Sequence, residues 1–256
     1  MTTRRRRFLS VLALAMLSGC GGGDKGSTVE PLPTGSGVYF TNGITLFSDS
    51  ANFYRVDPVS GDTALQTVGN GADGVTQCPP IAAMDLRPDG IVLAVAQRTA
   101  VILEADVRST LCHQLASLPE VMRAVAVRAD GHIFTVSATN RLYQLDAQGS
   151  VLSSTALLCA SSAPACPVTG MDFSSGATLY AIVSGGLWSR IDPTSGQLTT
   201  IKSGVDLSDD FDIDTLGQVR GLAGDELRSV DLAGNPIGQA INVFGGTAFA
   251  TGVVYR

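Results

Sequence analysis

The chain is poor in aromatic residues (6%) and in charge (16%), and its 256 residues include only 2 histidines and 1 tryptophan. Little charge combined with a 45% hydrophobic content excludes a disordered chain, which needs the reverse balance. No helical 3.6-residue periodicity is sustained beyond the N-terminal segment, which excludes a helix bundle. There is no CxxC spacing, and His113 and His132 are the only imidazoles, so a zinc site lacks its donors. GxSxG, SxxK and HExxH are all missing, so triad, acyl-serine and zincin chemistry have no support. Basic residues number 17 against 23 acidic ones, a formal charge of −6, and no basic surface is offered to a nucleic acid. What is plentiful is glycine, 29 residues, with 11 prolines, the composition of a turn-rich β protein.

The N-terminus has a different character. Arg4 to Arg7 form a basic block, Phe8 to Leu17 an apolar run too short to span a bilayer, and Leu17-Ser18-Gly19-Cys20 closes the segment. This order of charge, apolar run, small residues and cysteine resembles the lipobox of bacterial lipoproteins. The resemblance implies that residues 1–19 are a signal peptide and that Cys20 is acylated and becomes the mature N-terminus. Gly21 after the cysteine resembles an outer-membrane address, so the expected location is the bacterial cell envelope, on its periplasmic or outer face. Arg5-Arg6-Arg7-Phe8-Leu9 also resembles a twin-arginine signal, so ordinary secretion and export after folding both stand. Residues 20–36 hold glycines, prolines and little that is apolar, and are expected to be a tether. Removing residues 1–19 takes away four arginines and no acid, leaving 13 basic residues against 23 acidic ones and a net charge of −10.

An odd count of five cysteines fits this reading. With Cys20 carrying lipid, Cys78, Cys112, Cys159 and Cys166 remain in an oxidising compartment. Of three connectivities, the short Cys159–Cys166 loop is the easiest to close, which favours Cys159–Cys166 with Cys78–Cys112.

Residues 37–256 are internally repetitive. The fullest copy reads Gly170-Met171-Asp172-Phe173, Gly176, Leu179-Tyr180-Ala181, Leu187-Trp188-Ser189-Arg190-Ile191-Asp192-Pro193 and Gly196. Its first half recurs around Met84-Asp85-Leu86, Val125-Ala126-Val127 and Phe211-Asp212-Ile213. Its second half recurs around Tyr54 to Pro58, Leu142 to Asp146 and Leu227 to Asp231, with a degraded copy at Leu103 to Asp106. A unit of roughly forty residues with four short strands bounded by Gly, Asp or Pro is a propeller blade. At the N-terminal end a first strand is missing, and Gly246 to Thr251 reads as a first strand with no blade of its own. Joining the two ends closes a ring. The expectation is an all-β propeller of five four-stranded blades, with six as the alternative. These repeats resemble those of the broad NHL, quinoprotein-type and gluconolactonase-like propeller superfamily. The shared motif specifies blades and turns, not chemistry.

Asp85, Asp172 and Asp212 occupy equivalent places on three innermost strands, with Ala126 and Ala248 at the other two. Such carboxylates either converge on the channel axis as a metal site, with calcium the expected ion, or accept backbone hydrogen bonds from adjoining blades. Asp206, Asp209, Asp210, Asp212 and Asp214 form the densest acidic stretch and read as a solvated loop running into a strand, with a calcium or magnesium site as the alternative. An EF-hand is excluded, because Thr215 falls at its glycine and Gly221 at its glutamate. Gly69 to Gly74 match GxGxxG, but Val75 to Pro80 do not open a helix behind them, so the stretch reads as an inter-blade loop. Asn42-Gly43-Ile44 resembles a segment of gluconolactonase-like enzymes, without the matching acidic ligands. No catalytic residues are assigned. The expected function is a lipid-anchored, non-catalytic binding or scaffold module for an envelope protein, a glycan or a small ligand. The alternative is a metal-dependent hydrolase or lactonase-like enzyme using the three aspartates.

Overall fold

The computed structural model describes residues 38–42, 52–56, 63–67, 78–106, 111–159, 166–207, 210–224, 226–242 and 250–255. The signal segment, Cys20, the tether, Asp57, the Gly69–Gly74 stretch, Gly43, Asp209 and Ala248 lie outside the described residues. In residues 38–67 and 250–255 only Phe53 and Tyr54 are described beyond the backbone.

Every regular element among the described residues is a strand. Three N-terminal strands, β1 (Val38–Asn42), β2 (Asn52–Val56) and β3 (Thr63–Thr67), form one antiparallel sheet. Next come β4 (Ile81–Leu86), β5 (Val92–Ala96), β6 (Val101–Asp106) and β7 (Leu111–Ser117). The following group is β8 (Met122–Val127), β9 (Ile133–Ser137), β10 (Arg141–Leu145) and β11 (Val151–Ala156). Then follow β12 (Val168–Phe173), β13 (Leu179–Val183), β14 (Leu187–Ile191) and β15 (Leu198–Lys202). The last group is β16 (Phe211–Ile213), β17 (Val219–Ala223), β18 (Glu226–Val230) and β19 (Ile241–Asn242), after which β20 (Ala250–Tyr255) returns to pair with β1. Pairing gathers these strands into five four-stranded sheets, one of them ordered β20-β1-β2-β3. Four of the sheets are blades described with their side chains. The architecture is the all-β propeller that the repeats predict.

The hydrophobic pattern explains the stacking. Strands β5, β9 and β13 are buried at every position, as central strands covered on both faces must be. The outermost β11, by contrast, is exposed along nearly its whole length. Cores lie between neighbouring blades: Phe134 of one meets Phe173 of the next edge to face, with centroids 5.1 Å apart. Trp188 is fully buried between Tyr180 and Phe211, and its Nε1–H donates to the Leu232 carbonyl at 3.0 Å. It packs the core.

Both expected disulfides are present. Cys78–Cys112 ties the entry of β4 to β7, and Cys159–Cys166 closes a short loop ahead of β12. The repeated aspartates cap the outer turns: Asp146 accepts from Gln148 and Ser150, and Asp231 from Ala233 and Asn235.

Three expectations need correction. The described C-terminal inner strand is Ala250–Tyr255, which shares only residues 250–251 with the expected Gly246–Thr251. Its register sets Val254 opposite Tyr39, so Val254 takes the place equivalent to Asp172, which lies opposite Tyr180, a place the sequence reading gave to Ala248. The acidic stretch is solvated at Asp206 and runs into β16 at Asp212 as expected, but Asp210 beside β16 is fully buried rather than solvated. Finally, the left-handed slot of the inner turn, filled by Gly90, Gly131 and Gly217 in three blades, is filled in the fourth by Ala177 (φ 58°), one residue after Gly176.

A carboxylate cluster at the channel mouth

The innermost strand of a blade pairs on one side only, and its other edge points unpaired N–H groups at the axis. Asp85 on β4, Asp172 on β12 and Asp212 on β16 lie at this inner edge, and the first two answer that need. Each follows the period-2 alternation that turns its side chain inward, opposite the second residue of its neighbouring strand: Leu93, Tyr180 and Arg220. Asp85 accepts the N–H of Leu86 on its own strand and of Val127 on β8, both at 2.5 Å. Asp172 repeats the pattern, accepting from Phe173 and from Ile213 on β16, both at 2.6 Å. One carboxylate thus links two blades in each case. For Asp85 and Asp172 this is the second of the two roles the sequence left open.

The three carboxyls also converge. One oxygen from each lies within 4.8 Å of the others, and all three side chains are buried. Burial raises Asp85 well above the ordinary carboxylate range, the charge of Asp212 raises it further, and the Val127 and Leu86 amides pull it down. Asp172 is raised in the same way, first by burial and then by Asp85 and Asp212, against the Ile213 and Phe173 amides. Three like charges in this space favour binding protons or a cation.

Asp210 belongs to the same region and was hidden in the acidic stretch. Two residues before Asp212, it shares that residue's inward side, is fully buried, and accepts the Met84 N–H of β4 at 3.0 Å. The alternation Asp210-Phe211-Asp212 is the signal that places both carboxylates on one side of a strand.

Above the cluster a cavity of about 360 Å³ opens, lined by residues 85–88, Val127, Ala129, 172–175 and 212–215. Its walls are the turns leaving the inner strands β4, β8, β12 and β16. Arg87 reaches Glu104 at 2.7 Å and also pairs with Asp89, while Arg220 lies 3.5 Å from Asp214. His113 sits on β7 and His132 beside Asp130 at 3.0 Å, and neither is among the residues lining the cavity.

No protein-family model matches the sequence, and no curated protein does. Solved structures match by shape. A chain from a nidogen/laminin complex superposes with a TM-score of 0.55 at 8% identity, over 86% of this chain and 98% of that one. A protein of unknown function from Bacteroides caccae gives 0.50 at 13% identity, over 81% and 73%. At these identities the likeness shows the propeller fold alone.

Proposed function

We propose that the chain is an exported, lipid-anchored propeller of five blades that binds its partner at the channel mouth and performs no chemistry on it. The blade count rests on the five sheets and on the inner strands: β4 packs on β8, β8 on β12, β12 on β16, β16 on β20, and β20 on β4. Anchoring rests on the lipobox-like Leu17-Ser18-Gly19-Cys20, and two or more acyl chains make such attachment stable. The observation that carries the binding reading is the 360 Å³ mouth, walled by turns from four blades. Rigid strands holding variable turns around a concave floor are how propellers present a binding surface. A chain of similar shape occurs in the nidogen/laminin complex, in keeping with a propeller serving as a docking module. The envelope partner is a protein, a glycan or a small ligand, and the acidic floor and net charge of −10 favour a cationic surface over nucleic acid.

Crosslinking in intact cells tests this reading. Ser175 is exposed at the mouth, and Ser175→Trp fills it without touching the core. A partner captured by the native chain and lost with Ser175→Trp supports mouth binding. Capture unaffected by the substitution refutes it. Separately, Cys20→Ser is expected to move the protein from the membrane to the soluble fraction and to end palmitate incorporation.

The convergence of Asp85, Asp172 and Asp212 supports a second reading, a metal-dependent hydrolase or lactonase with these three as ligands. A panel of lactones and esters separates the two: turnover lost with EDTA and restored by calcium favours the enzyme.

A further inference from the structure

The chain leaving β11 does not pass directly into β12. Leu157 still belongs to the β10–β11 hairpin, its N–H donating to the Asn140 carbonyl at 2.9 Å. Leu158 then crosses to the next blade. Its N–H donates to the Gly196 carbonyl at 2.8 Å, and its own carbonyl accepts the Leu198 N–H at 3.0 Å, a parallel bridge beside Gln197. Residues 157–159 are therefore a strap across the seam between two blades. Leu157 is buried beneath it in the core that those blades share, while the Leu158 side chain is 50% exposed.

The strap ends at Cys159, which is joined to Cys166 directly ahead of β12. Cys159 is only partly buried, whereas both sulfurs of Cys78–Cys112 belong to buried residues. Leu158 is held to the neighbouring blade by two backbone hydrogen bonds, with the disulfide fixing the chain next to it.

We propose that Cys159–Cys166 is a redox latch that keeps this strap closed across the blade seam. A dithiol reductant supplies the electrons. One of its thiolates attacks the Cys159 sulfur, breaking the S–S bond and releasing Cys166 as a thiolate that takes up a proton. The second thiolate then attacks the mixed disulfide, closing the reductant's own disulfide and releasing Cys159, which is protonated in turn. Two electrons and two protons pass from the dithiol to the cystine. With the latch open, the strap is free to leave, and the Leu198 end of β15 loses its cover. Cys78–Cys112, inside a single blade, reduces later.

Graded reduction of the full-length chain tests the latch, with peptide mass mapping of each disulfide and amide hydrogen exchange on the same samples. Cys159–Cys166 is expected to open first. The Leu158 and Leu198 amides should then exchange on the order of ten- to a hundredfold faster, while β4 to β7 keep their protection. The double variant Cys159→Ser, Cys166→Ser should reproduce that local change in the absence of reductant. Earlier reduction of Cys78–Cys112 overturns the proposal. So does unchanged protection at Leu158 and Leu198 after reduction, or acceleration throughout the molecule, which makes the bond a global staple.

Discussion

Replacing Gly196 by alanine tests how the blades are held at their rims. Gly196 has φ +73° in the turn before β15, and a Cβ built there comes within 2.2 Å of the Ala156 carbonyl oxygen and 3.0 Å of Thr155 Cγ2. The obstacle is backbone of the preceding blade, so no side-chain rotation relieves it. Gly204 is the control, with φ +69° and nothing within 4 Å of its Cβ. Both substitutions carry the left-handed penalty, about 1 kcal/mol. Gly196→Ala adds the cost of displacing β11, about 2 kcal/mol more, by analogy with overpacked cores. For a domain of this size about 1 kcal/mol corresponds to roughly 2–4 °C in Tm, so Gly204→Ala should lose about 3 °C and Gly196→Ala about 9 °C. Calorimetry of the purified variants, with urea unfolding alongside, measures the difference. Gly149→Ala extends the test, because its Cβ meets the Ala116 Cβ at 2.7 Å and Ala116→Gly should therefore recover part of the loss. Equal losses at 196 and 204 would show that the outer turns do not bear on the neighbouring blade.

Ala177→Gly should stabilise the protein by about 0.5–1 kcal/mol, because it removes a left-handed alanine from the slot that three blades give to glycine; a lower Tm contradicts this. Calcium in the millimolar range should raise the melting temperature, and Asp172→Ala should abolish the rise, whereas equal shifts in both proteins would place the ion elsewhere. Asp85 and Asp172 have folded pKa values above their unfolded ones, so the folded state holds more protons between the two values. Their contribution to stability is then fully present below about pH 4 and is lost as pH rises through the raised values. In EDTA the urea midpoint should fall as the pH rises above the ordinary carboxylate range, with a shallower fall in Asp212→Ala; a parallel fall in both would separate the slope from the cluster.

Much of the architecture was legible because a propeller writes its turns into the chain. Asp146, Asp192 and Asp231 recur where an outer turn needs an acceptor for its own N–H groups, and that local chemistry survives in sequence. The disulfides were legible for a similar reason, since loop length alone favoured Cys159–Cys166. Register was harder. Thr251-Gly252 repeats Thr169-Gly170 and would have aligned Val254 with Asp172. Ala177 shows the same slip by one, because Gly176 stood beside the slot that needed a glycine. The burial of Asp210 was least visible. Dense acid normally marks solvent, and only the ring turns an unpaired strand edge into partners for carboxylates.

The pairing of β20 with β1 also bears on the order in which the molecule can be made. Residues 250–255 pair with residues 38–42, across more than two hundred intervening residues. Every other pairing is between strands adjacent in sequence and can form while synthesis continues. This one waits for nearly the whole chain, and its closure entropy is the largest in the fold. Until then β1 and β4 lack the strand they flank, and a chain stopped short of Ala250 would expose those surfaces to quality control.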